Sequence, residues 1–212
     1  MKLDKKDLLL YAVTDRTWTG RQTLYEQVEA ALQGGVTLVQ LREKRLDEAT
    51  FIREATEMKA LCRQYHVPLI INDHVSVALK SGADGVHVGA EDMSVSEIRC
   101  LAGDDFIIGA TAKTVEQAQR AEAEGADYLG VGAVFPSPTK TNAIRITTAQ
   151  LREICNAVHI PAVAIGGISA ENLYELAGGG MNGIAVVSAI FSAENIRTAT
   201  AQLKVKVAEL IL

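Results

Sequence analysis

The sequence predicts a closed (β/α)8 TIM barrel occupying residues 1–212 as a single domain, and three observations carry that prediction. Short apolar runs alternate with stretches of helical period along the whole chain. The apolar runs number eight. A glycine-bearing turn recurs ahead of several of them, as expected where a helix ends and a strand begins. Alternating β and α segments build right-handed βαβ units and hence a parallel sheet. Eight such units favour closure into a barrel, with an open doubly wound sheet as the competing architecture.

In chain order the strand-like runs are LLLYAVT (8–14), VTLVQLRE (36–43), PLIIND (68–73), GVHVG (85–89), FIIGAT (106–111), YLGVG (128–132), PAVAIGG (161–167) and GIAVVSAI (183–190). Between them, TLYEQVEAALQGG, DEATFIREATEMKALCRQYH, TVEQAQRAEAEG and TTAQLREICNAVH repeat apolar residues at helical spacing. Thr114, Thr147 and Ser169 are expected N-caps. The turns Gly34-Gly35, Gly82–Gly85, Gly125–Tyr128 and Gly180–Gly183 belong at the N-terminal end of the strands, so Asp84 and Asp127 are expected to be scaffold. Chemistry is expected at the opposite end, where strands run out into βα loops.

The chain is 48% hydrophobic and 22% charged, enough apolar material for a sizeable core. Its apolar stretches fall short of the roughly 18 to 20 residues needed to cross a bilayer, and the N-terminal run reads as a first strand rather than a signal peptide. No membrane partner is therefore expected. A net charge of −5 disfavours nucleic acid, so an anionic ligand needs a locally positive site. Cys62, Cys100 and Cys155 are odd in number and form no CxxC pair, which fits thiols in a reducing cytoplasm better than disulfides or zinc. A homo-oligomer is left open.

In VTLVQLREK, a period of two puts Val36, Leu38, Gln40 and Arg42 on one face, with Lys44 beyond the strand end. If that face points inward, the barrel turns cationic only at its rim, which suits a phosphorylated ligand. A solvated charge run is the alternative. The third and fourth strands end in Asn72-Asp73 and Glu91-Asp92. Two carboxylates on neighbouring strand ends suit a magnesium ion whose octahedron is completed by water and phosphate oxygens. An acid–base pair and helix N-caps compete with that reading. His87 either lines the barrel against a ligand or is a satisfied core histidine. The loop after the sixth strand, with Ser137, Thr139, Lys140, Thr141 and Asn142 between and after two prolines, places a further cation over the mouth. Gly166, Gly167, Val187 and Ser188 lie where such barrels bind a monophosphate. Two anion sites, one metal-assisted, imply two phosphorylated small-molecule substrates.

Taken together, QLREK, IINDHVSVALKSGADGVHVGAEDM, PSPTK and AIGGIS…VVSAI resemble the thiamine-phosphate synthase (thiamine-phosphate pyrophosphorylase) family over nearly the full chain. The resemblance implies a transferase of thiamine biosynthesis, joining hydroxymethylpyrimidine diphosphate to hydroxyethylthiazole phosphate with release of pyrophosphate. It implies that Gln40, Arg42 and Lys44 hold the pyrimidine and its diphosphate with help from Asn72. By the same resemblance, Asp73 and Asp92 would carry Mg2+, Lys140 would bind the diphosphate, and Thr139 would lie close by. Gly167, Val187 and Ser188 would hold the thiazole phosphate. Arg42, Lys44, Lys140 and Thr111 are the residues expected to drive the chemistry.

The sequence departs from the family pattern twice. Ala90 stands where the family has a glutamine before Glu91-Asp92, and Thr111-Ala112-Lys113 stands where it has Ser-x-His. Thr111 keeps a hydroxyl for the diphosphate. A thiazole tautomerase on the same barrel, which works through a histidine, and a non-catalytic phosphate-binding barrel are the alternatives.

Overall fold

Each apolar run forms a short parallel strand in the computed structural model, which describes residues 3–137 and 144–211. The strands are β1 (Leu10–Val13), β2 (Leu38–Leu41), β3 (Leu69–Asn72), β4 (Gly85–Val88), β5 (Ile107–Ala112), β6 (Tyr128–Gly132), β7 (Ala162–Ile165) and β8 (Gly183–Val186). They pair in sequence order. Pairing of β8 with β1, Ile184 beside Leu10, closes the sheet and removes its edges. Closure excludes the open doubly wound alternative.

The period of two sorts each strand between two cores. Leu38 on β2 joins Tyr11, Val13, Ile70, Ile107, Tyr128, Val163 and Ala185 inside the barrel. Val39 and Leu41 face outward with Leu10, Ala12, Ile71 and Val86. Helices α1 (Leu24–Gly34), α2 (Glu48–Gln64), α3 (Val75–Ser81), α4 (Val95–Ala102), α5 (Val115–Ala123), α6 (Thr148–Asn156) and α8 (Ile196–Ile211) contribute to that outer core; for α2 the buried face is Phe51, Ala55, Met58, Leu61 and Cys62.

Helix starts follow the expected chemistry. Thr114 and Thr147 cap α5 and α6, accepting from the amides of Gln117 and Gln150. Ser169 caps no α-helix, a correction to expectation. The segment after β7 makes only a 3-10 turn at Leu173–Leu176, and Asn172 precedes it. The last apolar run also stops short as a strand. β8 ends at Val186, and Ser188–Phe191 turns into the short helix α7.

The floor of the barrel repeats one device. The side chain just before an even-numbered strand accepts the backbone N–H at the start of the odd-numbered strand before it. Thr37 Oγ1 takes Leu10 N at 2.9 Å, Asp84 Oδ2 takes Leu69 N at 2.8 Å, Asp127 Oδ2 takes Ile108 N at 2.7 Å and Asn182 Oδ1 takes Ala162 N at 3.1 Å. Asp84 is further held by Lys59 Nζ at 2.6 Å, and Asp127 by Arg99 Nη2 at 2.7 Å. Both acids are scaffold, as expected. Glycines close the preceding helices with positive φ, Gly82 at 70° among them, a conformation a side chain would strain.

Candidate active site

At the other end, the C-terminal mouth opens into a cavity of about 570 Å³. The strand ends deliver to it the side chains singled out from the sequence: Gln40, Arg42 and Lys44 from β2, Asn72 and Asp73 from β3, Asp92 after β4, and Thr111 on β5. Gly166 and Gly167 after β7, and Val187 and Ser188 at the start of α7, line the same cavity. Thr139, Lys140, Thr141 and Asn142 lie outside the described residues; Ser137 reaches the cavity wall.

The cationic side is partly tied down. Arg42 donates from Nη1 to Asp15 Oδ2 at 3.3 Å, and its own backbone N–H is taken by Thr14 Oγ1 at 2.9 Å. Glu43, pointing the other way, is buried against Arg16, which reaches on to Glu54 at 2.6 Å. Asp15 also caps the turn Arg16–Trp18. Trp18 packs on the outer core, and its carbonyl accepts from Gln27 Nε2 at 2.6 Å. Asp15, Arg16 and Trp18 thus tie this segment to the barrel wall.

The two acids converge. Asp73 sits at φ 62°, a left-handed backbone unusual for a residue with a side chain, and Asn72 Nδ2 donates to its Oδ2 at 2.6 Å. Asp92 Oδ2 accepts from Gly89 N at 2.8 Å. Burial raises the pKa of Asp73 above the ordinary carboxylate value, and the neighbouring Asp92 carboxylate raises it further. Neither acid caps a helix. Ser94 caps α4, and α3 has no side-chain cap. Like charges gathered at the rim call for a cation between them, so the donor set fits a hard divalent ion that takes its remaining ligands from water and phosphate. No cluster of three or more acidic, histidine or cysteine ligands occurs among the described residues. A protein-only cage is therefore not what these residues build.

After β7, Gly166 and Gly167 both take positive φ, 103° and 64°. A Cβ on Gly167 would lie 2.1 Å from the Pro136 carbonyl oxygen, so only glycine fits where the β6 and β7 loops touch. Asn172 locks this turn, donating to Gly167 O at 2.9 Å and accepting from Ser169 N at 2.9 Å. Sequence reasoning missed Asn172; its spacing from the GG pair was the available signal.

Beneath the mouth, His87 is buried and satisfied. Nδ1 lies 3.1 Å from the Tyr128 hydroxyl and Nε2 lies 3.0 Å from Thr111 Oγ1. Burial lowers its pKa to about 4, so the ring is neutral. Tyr128 in turn bonds Tyr11 at 2.8 Å, and Tyr11 accepts from Gln40 Nε2 at 2.6 Å. Both tyrosines also line the interior, and the sequence reading passed over them. The signal was there: each occupies an inward strand position, and Gly109 and Gly130 clear space opposite.

A closed parallel barrel whose C-terminal mouth gathers paired acids, cations and a glycine turn around one cavity defines an enzyme acting on phosphorylated ligands. The sequence profile described as thiamine monophosphate synthase matches residues 10–190, and the chain belongs to that family. The thiamine-phosphate synthase of Ruminiclostridium cellulolyticum is 47% identical over 94% of this chain and 95% of its own length. That of Methanobrevibacter smithii is 43% identical over 95% of this chain and 96% of its own. The solved thiamine phosphate pyrophosphorylase of Pyrococcus furiosus matches with a TM-score of 0.90 at 39% identity, covering 98% of this chain and 99% of that one.

Proposed function

We propose that this transferase joins hydroxymethylpyrimidine diphosphate to hydroxyethylthiazole phosphate, giving thiamine phosphate and pyrophosphate. The bond between the pyrimidine methylene carbon and the diphosphate oxygen breaks, and the diphosphate leaves with the electron pair. The thiazole nitrogen then supplies the pair for the new carbon–nitrogen bond. No proton is transferred, so no strong protein base is required. The work is positioning and charge neutralisation.

Arg42 and Lys44 hold the diphosphate electrostatically, and Thr111 donates a hydroxyl to it. Lys140 is assigned to the same group from the sequence. Gln40 and Asn72 orient the pyrimidine. Gly167, Val187 and Ser188 receive the thiazole phosphate. Asp73 and Asp92 would hold Mg2+, which when bound neutralises charge developing on the leaving group. The observation that carries this reading is the convergence of two like-charged carboxylates on the cavity that Arg42 and Lys44 also line. Three cysteines that are free thiols among the described residues fit a reducing compartment, and we place the protein in the cytoplasm.

The test is incubation with both substrates, with and without a chelator of Mg2+, assaying pyrophosphate and thiamine phosphate together. Equal amounts of the two products, formed only with free Mg2+, are expected. Turnover indifferent to chelation would refute the metal role, and no turnover with Mg2+ present would refute the reaction.

A further inference from the structure

Five side chains from five strands form one unbroken hydrogen-bonded chain across the barrel interior: Gln40 (β2), Tyr11 (β1), Tyr128 (β6), His87 (β4) and Thr111 (β5). Its ends carry the ligand roles assigned above, and Tyr11 and His87 border the same cavity from beneath. The middle three are nine-tenths or more buried. The chain occupies purpose-cleared space. A Cβ on Gly109 would lie 2.2 Å from Tyr128 Cζ and 2.5 Å from His87 Nδ1, and one on Gly130 would lie 2.9 Å from His87 Cε1.

With the Gln40 amide turned so that Nε2 faces Tyr11, counting protons fixes the direction of every bond. Gln40 Nε2 donates to the Tyr11 hydroxyl, so the one hydrogen of Tyr11 goes to Tyr128. The hydrogen of Tyr128 then goes to His87 Nδ1. A neutral imidazole has a single N–H, which must sit on Nε2 and donate to Thr111 Oγ1. That leaves the hydrogen of Thr111 and the Oε1 of Gln40 for the cavity that both residues line. Turning over the Gln40 amide would reverse every bond and present an acceptor at Thr111. A diphosphate oxygen can only accept, so a diphosphate at Thr111 selects the first polarity.

We infer that Tyr11, Tyr128 and His87 are positioning residues that couple the two ends of the substrate site, so that a diphosphate accepting from Thr111 obliges Gln40 to present an acceptor to an amino group on the heterocycle. The inference rests on the reading of the cavity as a pyrimidine diphosphate site. Burial keeps all three rings uncharged, raising the pKa of both phenols and lowering that of the imidazole, which lets such a relay hold its direction.

Two measurements test it. In protein labelled with 15N-histidine, the His87 nitrogens, assigned against His87→Gln, should show the Nε2–H tautomer once inorganic pyrophosphate and Mg2+ are bound. Tyr128→Phe should give a mixture. An Nδ1–H tautomer in the wild type with pyrophosphate and Mg2+ bound overturns the relay, and this reading needs no turnover. The second compares dissociation constants, measured without the thiazole phosphate, for two pyrimidine diphosphates, one bearing an exocyclic amino group and one with hydrogen in its place. The wild type should prefer the amino compound by roughly tenfold or more. Tyr128→Phe and Tyr11→Phe should each bring the preference to within about threefold. A full binding preference in either folded variant overturns the proposal, whatever the absolute affinities. If Tyr128→Phe does not fold, Tyr11→Phe cuts the same chain nearer Gln40. A wild type that forms no thiamine phosphate refutes the proposed reaction, while the tautomer still decides the relay.

Discussion

Asp84 at the floor of the barrel and Asp73 at its mouth both adjoin a strand terminus, yet they meet opposite fates. Asp84 spends its oxygens on the protein, taking Lys59 at 2.6 Å and the amide of Leu69 at 2.8 Å. Asp73 meets one amide donor, Asn72, and a second carboxylate, Asp92. The floor is a set of closed accounts between charges and backbone, whereas the mouth is left electrostatically incomplete. A parallel barrel enforces this asymmetry. Its αβ turns are short and glycine-closed, and its βα loops carry the ligand chemistry.

The comparison breaks most severely at Asp92. Asp92→Ala should lower kcat/KM on the order of 10²-fold or more while leaving the thermal midpoint unchanged or higher, since it relieves like-charge repulsion on Asp73. Steady-state kinetics beside a melting curve check this. An equally active variant would remove Asp92 from the metal site.

Asp84→Ala should do the reverse. It strands the Leu69 amide and the Lys59 ammonium, so urea unfolding should show a loss of about 2 kcal/mol with kcat preserved in the folded fraction.

His87 lies between the two regions and sharpens the contrast through pH. The folded protein keeps it neutral down to about pH 4, while an unfolded chain protonates it near its ordinary value of 6.5. The unfolded state therefore binds the extra proton in that window, and stability falls as pH drops through it, by about 2 kcal/mol at pH 5. Urea titrations at pH 7 and pH 5 should show this loss in the wild type and a smaller one in His87→Gln.

The smallest effect is expected at Lys113. It lines the cavity beside Thr111, with its backbone N–H held by Gln117 Oε1 at 2.8 Å. Lys113→Ala should raise KM for the pyrimidine diphosphate by about threefold without altering stability. An unchanged KM would place that ammonium in solvent.

Much of the fold and part of the site were legible from the chain. The acids after β3 and β4, the basic residues closing β2 and the glycine pair after β7 all stand at strand ends, and strand ends can be read from local periodicity. Ser169 misled because a capping residue is a local signal that needs a following helix, and the segment after it buries Leu173 and Leu176 in a 3-10 turn instead. Asn172 escaped notice because its role depends on a turn whose shape Gly166 and Gly167 set with positive φ.

By itself the sequence determined the eight strands and their alternation with helical segments, the separation of Leu38 and Gln40 from Val39 and Leu41 on β2, and which end of the strands carries chemistry. These follow from backbone periods of 2 and about 3.6, which are properties of neighbours in the chain. Only the tertiary structure decided that Tyr11 and Tyr128, separated by 117 positions, would share a hydrogen bond, and that His87 would join them to Thr111. Such contacts exist only once β8 pairs with β1 and the inward side chains are confined in one interior. Their identities were printed in the chain, but their partners were chosen by closure.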